Sequence, residues 1–482
     1  MTATMWSAAA RCGAQSPTRP IVRALLRLAA IAVAGSALYY AGLLNSIVIQ
    51  RPERPGSVVV VLAIGVALLI LAAVVRGDGR GDGGMTTKHV RLHRAVWLFI
   101  CLMGLVSVAW VTDLPRQRSF DWTPYHNDAI AIDECAARLV LDGRDPYTSL
   151  DMFDCYRGLA IGADRTTPLR RGLFADVRVY PSDDQLDAAW DQRQRDGSNV
   201  EFVARPSYPA LSFLLIVPFV ALGWDTNRFY LLCLVVAMAL AVVRTAPVLR
   251  PFMLTALLGA ACLVAFTVGG SADLLYAAPL VAAWLWRERR WSALAFGVAV
   301  ATKQIAWLFA PFYLLAVVTS AGWREAARRS ALAAAVFLAA NAPFILHDPS
   351  AWLAGVLTPV TEPMFARGAG VVFLGTSGGL PLLPQTAYLL MEATAAAVCL
   401  GLAWRERRSS PELGSVLALV PLFFGWRSLF SYFFLIPLFA AAGVARLPAH
   451  EISAERIRES GALTLFALPR TPLRLLRRGR AA

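Results

Sequence analysis

The chain has 482 residues, of which 57% are hydrophobic and 16% are charged, and its mean hydropathy is +0.55. A soluble chain carries about a quarter charged residues, so this balance excludes an ordinary soluble enzyme. The net charge of +14 resides largely in short arginine-rich segments between apolar runs, as in membrane loops, and no nucleic-acid partner is expected.

Apolar runs long enough to cross a bilayer must be helical, because every backbone polar group has to be paired inside the lipid. In chain order they fall near 28–49, 57–75, 95–112, 207–223, 227–246, 252–269, 271–286, 291–319, 330–346, 384–403 and 412–443. The runs 291–319 and 412–443 are each long enough for two short or broken helices. The fold expected is an all-α integral membrane protein, a polytopic bundle of about 11–13 transmembrane helices. Its large first outer loop, 113–205, carries short amphipathic helices. The first apolar run is too long for a signal-peptide core and lacks a small-residue cleavage site, so it is expected to be retained.

Basic residues in short loops set the orientation. Arg11, Arg19, Arg23 and Arg27 precede the first run, and "RERR" (287–290), "WREAARR" (323–329) and "RERR" (405–408) mark further inner loops. The N-terminus is therefore expected in the cytoplasm and the 113–205 loop outside a plasma membrane. Single crossings at each of the four runs within 207–286 put "RERR" (287–290) on the wrong side, so one of those runs must be re-entrant or split. Three units are expected: 1–94 with two additional spans, a catalytic membrane module over 95–445, and a basic cytoplasmic tail over 446–482.

The outer loop has different chemistry. It holds 17 of the 32 acidic residues against 12 arginines. From Asp128 onward, Ile132, Ala136, Leu139 and Val140 repeat at helical spacing. Gly143 stands where a helix-ending glycine belongs, and Pro146 prevents continuation. This predicts a short amphipathic helix along the outer membrane surface, with Asp133 and Glu134 on its solvated side. Asp128 falls at the helix N-terminus, where a carboxylate also suits a purely structural cap. A second helix is expected within 180–197, begun by Ser182 or Asp183. Cys135 and Cys155 share this exported loop and are spaced for a possible disulfide. His89, His93, His126, His347 and His450 are scattered, so no metal-ligand set is visible; no cofactor is required, and a divalent cation is left open.

Only two lysines occur, Lys88 and Lys303, against 44 arginines. Lys303 stands between apolar runs, and an ionisable residue in a membrane segment is by default a functional candidate; its bland alternative is a snorkelling side chain at a helix end. Arg427 interrupts the aromatic run "FFGWRSLFSYFF" (423–434), and Asp273 sits between two apolar segments. Lys303 and Arg427 are candidates for holding a phosphate. His347 and Asp348 read better as a helix-ending turn before Pro349.

An acid shortly after an early span, the segment "AARLVLDGRDPY", the "YP" re-entry, "ATKQIAWLFAPFYLL" and "GWRSLFSYF" together resemble the GT-C-type polytopic glycosyltransferases. The similarity covers roughly 95–445 and is nearest to the actinobacterial polyprenol-phosphate-mannose-dependent mannosyltransferases. The resemblance implies a polyprenyl-phosphate sugar donor and a lipid, glycan or protein acceptor. Asp128 takes the place of the family's general base, and Lys303 and Arg427 become donor-phosphate contacts. His126, Tyr208, Gln304 and Asp273 become possible substrate contacts. The family's aromatic or Val-Tyr pair after the acid is replaced here by "DAIAIDE", which keeps Asp133 and Glu134 as alternatives for the base. The competing expectations are a transporter or flippase of a lipid-linked glycan, against which stands the absence of a sequence repeat, and a non-catalytic assembly factor.

Overall fold

The computed structural model describes residues 27–448, apart from 40, 42–127, 160, 198–199, 259, 261, 264–270 and 378. The predicted spans 57–75 and 95–112, most of the 1–94 unit and nearly all of the basic tail lie outside the described residues. What is described is almost wholly helical. The principal helices are α1 (Arg27–Tyr39), α2 (Asp128–Leu141), α3 (Met152–Gly158), α4 (Asp183–Asp196), α5 (Thr226–Arg244) and α6 (Leu274–Leu285). After them come α7 (Ser292–Thr302), α8 (Ala310–Ala321), α9 (Trp323–His347), α10 (Gln385–Glu406) and α11 (Ile436–Ala445). Among the described residues the one sheet is a parallel pair of two-residue strands, β1 (Arg367–Gly368) and β2 (Arg427–Ser428).

Among the described residues, four helical stretches are long and apolar enough to cross a membrane: Thr226–Arg244, Gln304–Ala321, Trp323–His347 and Gln385–Glu406. Their outer faces expose Leu232, Val235 and Val243 on α5, Leu346 on α9 and Leu390 on α10. Large apolar side chains exposed in this number suit hydrocarbon rather than water. Inside, α6 packs against α5, α7 and α11, and α7 packs in turn on α9.

Three predicted spans are interrupted, each for a local reason. The run 207–223 forms two separate helices, Leu211–Leu214 and Val217–Ala221, the second opened by Pro218 in its first turn. Neither approaches the roughly 20 residues needed to cross the hydrocarbon. The run 207–223 is thus split, one of the arrangements that the loop charges call for. The run 291–319 breaks where α7 ends at Thr302, Lys303 is extended, and a tight turn of helix over Gln304–Phe309 leads into α8. The run 412–443 breaks into short turns around β2 before α11 begins. Residues of both of these breaks line a cavity, the setting in which a helical membrane protein tolerates irregular backbone.

The outer-loop helix α2 starts at Asp128 and stops before Gly143, which adopts φ 70°. It does not lie on a surface. Residues 129–137 are all buried, because α2 is sandwiched between Leu211–Leu214 and Val217–Ala221 on one side and α3 on another. Ile130, Ala136 and Ala137 join the main core, while Ala131 and Ile132 pack with Met152 and Tyr156. The expectation that Asp133 and Glu134 are solvated is therefore overturned. Cys135 and Cys155 form a disulfide, Cα–Cα 6.0 Å, that ties α2 to α3. Helix α4 begins with the reciprocal Ser182–Gln185 capping box and seats Leu186 and Ala189 against Phe153, Phe174 and Phe202 in a small core of its own.

Candidate functional site

A cavity of about 700 Å³ lies where α2, the Lys303 break, the β1–β2 pair and α10 meet. Asp128, Tyr208, Asp273, Lys303, Gln304 and Arg427, which are far apart in sequence, all line it. His126 lies outside the described residues.

Asp128 is half-buried at the first turn of α2, and its Oδ2 accepts a hydrogen bond from Thr167 Oγ1 at 2.5 Å. Thr167 is held by the chain beside it, since its carbonyl accepts from Val203 N at 3.0 Å. One carboxylate oxygen is thus fixed while the group as a whole faces the cavity. The two alternatives do not share that position. Glu134 is buried, accepts from Thr226 Oγ1 and lies 3.8 Å from Arg138 Nη2. Asp133 is fully buried behind the cavity wall, and burial pushes its carboxyl up to about 7, partly offset by Ser212 and Lys303. Neither lines the cavity.

Lys303 meets the cavity as half of an ion pair. Its Nζ lies 2.5 Å from Asp273 Oδ1 and 4.6 Å from the centroid of the Tyr208 ring. A buried pair of this geometry satisfies both charges internally, so Lys303 is not the free cation expected from sequence. Gln304 is likewise engaged: its Nε2 donates to the carbonyls of Ser207 and Val356, each at 2.7 Å. It ties the re-entry segment to the Lys303 break.

The free positive charge is supplied by arginines. Strands β1 and β2 pair in parallel with Arg367 opposite Arg427, and both side chains line the cavity. Neither has a carboxylate within ion-pair distance among the described residues. Arg427 Nη1 contacts Met364 Sδ at 2.8 Å, and the Arg367 guanidinium stacks 4.1 Å from the centroid of the Tyr180 ring. The pairing depends on Gly368, whose φ of 148° and whose position leave no room for a Cβ, which would stand 2.0 Å from Ser428 O. Two adjacent guanidiniums without acidic partners form a fork suited to phosphate.

Sequence reasoning missed Arg367, Thr167 and Glu392. Glu392 was detectable, since it is an acid inside the predicted span 384–403 and deserved the same weight as Lys303. Arg367 stands in "FARGAG" (365–370), outside every predicted span, and only strand pairing brings it beside Arg427. Thr167 gave no local signal.

The fold and the cavity together define the class of this chain: a mostly helical protein whose longest helices are long and apolar enough to cross a membrane. No family model, curated protein or solved structure matches it.

Proposed function

We propose that this chain is a polytopic membrane glycosyltransferase of the GT-C type. It moves a sugar, mannose first among the candidates, from a polyprenyl-phosphate donor to a hydroxyl of a lipid, glycan or protein acceptor. The observation that supports this best is a single one: Asp128 and the unpaired Arg367–Arg427 couple face the same cavity from separate parts of the chain.

In this reading the acceptor hydroxyl attacks the anomeric carbon, Asp128 takes its proton, and the bond from that carbon to the phosphate oxygen breaks. The polyprenyl phosphate leaves with its developing charge held by the two arginines. A direct displacement needs one carboxylate and inverts the anomeric centre. The Lys303–Asp273 pair and Gln304 shape the cavity floor rather than carry the chemistry. With 207–223 counted as no crossing, the loop 287–290 falls on the cytoplasmic side, and 323–329, whose Glu325 pairs with Arg290, falls beside it because 291–319 turns back at Lys303. The cavity then lies at the extracytoplasmic face of the plasma membrane.

The test is sugar transfer from radiolabelled polyprenyl-phosphate sugars in membranes containing the full chain. Asp128→Asn is expected to lower transfer by about 10²–10⁴-fold while leaving donor binding in place. Full transfer by that variant removes Asp128 as the base. Donor lipid crossing the bilayer with no transfer to any acceptor turns the assignment to a flippase.

A further inference from the structure

Of the cavity acids that the transfer chemistry does not use, Asp273 is paired with Lys303 and Asp164 with Arg165, whereas Glu392 is paired with neither. Glu392 stands in the eighth position of α10, a helix of membrane length, and its side chain lines the cavity together with Gln385 and Leu389 of the same helix. The spacing of these three puts them on one stripe of α10. Glu392 is half-buried, and among the described residues it makes no ion pair or hydrogen bond. An ionisable group kept inside a membrane-length helix without a partner is costly unless a ligand or water engages it.

Two further observations place this carboxylate within the charged part of the cavity. The Tyr432 hydroxyl lies within electrostatic reach of Arg427, Lys303, Asp273 and Glu392 together, so Glu392 shares one neighbourhood with the phosphate-suited arginine. Gly425, two residues before Arg427, leaves the space that Glu392 occupies: a Cβ there would stand 3.1 Å from Glu392 Oε2. The carboxylate is accordingly fitted against the β2 turn rather than free in solvent.

We infer that Glu392, with Gln385, forms a polyol-binding subsite that accepts hydroxyls of the sugar whose phosphate rests on Arg367 and Arg427. This rests on the glycosyltransferase reading for the identity of the ligand. A carboxylate accepts two hydroxyl hydrogens at once, and such charge-assisted bonds are short and directional. A vicinal diol matches that geometry, whereas a phosphate is repelled by it. The subsite therefore decides which sugar is taken, and the arginines decide that a phosphate is attached to it.

The experiment measures binding of two probes to the purified full chain: decaprenyl phosphate without sugar, and decaprenyl-phosphate mannose. Glu392→Gln is expected to weaken the mannosylated lipid by about 10–100-fold, as for loss of hydrogen bonds to a charged group, and to leave the bare phosphate lipid unchanged. Arg427→Gln weakens both. Gly425→Ala, which leaves every charge in place and crowds Glu392, is expected to reproduce the selective loss in part. Equal weakening of both probes by Glu392→Gln, or of neither, overturns the subsite. So does a wild-type chain that binds the sugar-bearing lipid no better than the bare one. A selective loss at Glu392 in a chain that transfers no sugar keeps the subsite and discards the enzyme reading, so the two failures are told apart.

Discussion

The two ends of the helix bundle handle charge in opposite ways. At the end formed by 287–290, 323–329, 412 and 446, the arginines that are at least half-buried are matched by acids or carbonyls. Arg287 Nη1 and Nη2 contact both oxygens of Glu412 at 2.8 and 2.5 Å, and Trp284 Nε1 adds a bond to the same carboxylate at 3.0 Å. Arg329 pairs with Glu325 at 3.1 Å and donates to the carbonyls of Arg287 and Glu288, while Arg446 pairs with Glu288. At the cavity end, Arg367 and Arg427 stand side by side with no acid within ion-pair distance among the described residues, and Asp128 is held by a neutral hydroxyl. Buried charges that are satisfied within the chain hold helices in register; buried charges left open are free to meet a ligand. The Lys303–Asp273 pair belongs to the first kind although it lines the cavity. Position in a pocket alone is thus a poor guide to chemistry.

The sharpest way to break this contrast is at the paired end. Arg287→Met strips the buried Glu412 of its two-pronged partner, leaving it Trp284 Nε1 and the more distant Arg446 at 4.0 Å, and is expected to cost up to about 3–5 kcal/mol, read as a lowered midpoint in thermal unfolding of the detergent-solubilised chain. The double variant Arg287→Met, Glu412→Leu should recover most of that loss, and its failure to do so would mean that the pair is not the cause. At the open end the sign reverses. Arg367→Gln or Arg427→Gln should raise the donor KM by about 10–100-fold, the worth of one or two charge-assisted hydrogen bonds, with an unfolding midpoint at or above wild type. A lowered midpoint there would class these arginines with the structural ones.

A third effect, read as a slope against pH, concerns Asp133, which belongs to neither set. Its carboxyl is pushed up from 3.8 to about 7 by burial, so the folded state holds a proton that the unfolded chain releases. Asp133 favours folding fully below the unfolded value and loses that contribution as pH rises from about 4 to about 7. The slope is at most about 1.4 kcal/mol for each pH unit. Asp133→Asn should flatten this part of the stability profile, so that its advantage over wild type grows towards pH 7 and then levels off. A constant difference between the two across that range would show that Asp133 is charged when folded.

Much of the candidate site was legible one residue at a time. Asp128 at a helix start, Lys303 between apolar runs and Arg427 in an aromatic run are each conspicuous, because a charge in such surroundings carries a cost that sequence alone reveals. What failed was the pairing. Along the sequence Asp273 and Lys303 read as separate features, a substrate contact and a phosphate contact, yet they neutralise each other. Asp133 and Glu134 were placed in water because the helical period showed one apolar face. The small residues Ala129, Ala131, Ala136 and Ala137 instead allow neighbours to close over α2 from several directions.

By itself the sequence determined the helical class, the apolar runs from which the four membrane-length helices come, and the helix stops at Gly143 and before Pro349. These follow from local rules: backbone satisfaction in an apolar medium, and proline and glycine geometry. Tertiary structure alone decided which charges are spent on each other and which remain open. That outcome depends on contacts such as Arg367 beside Arg427, 60 residues apart across β1 and β2, which no spacing along the chain encodes.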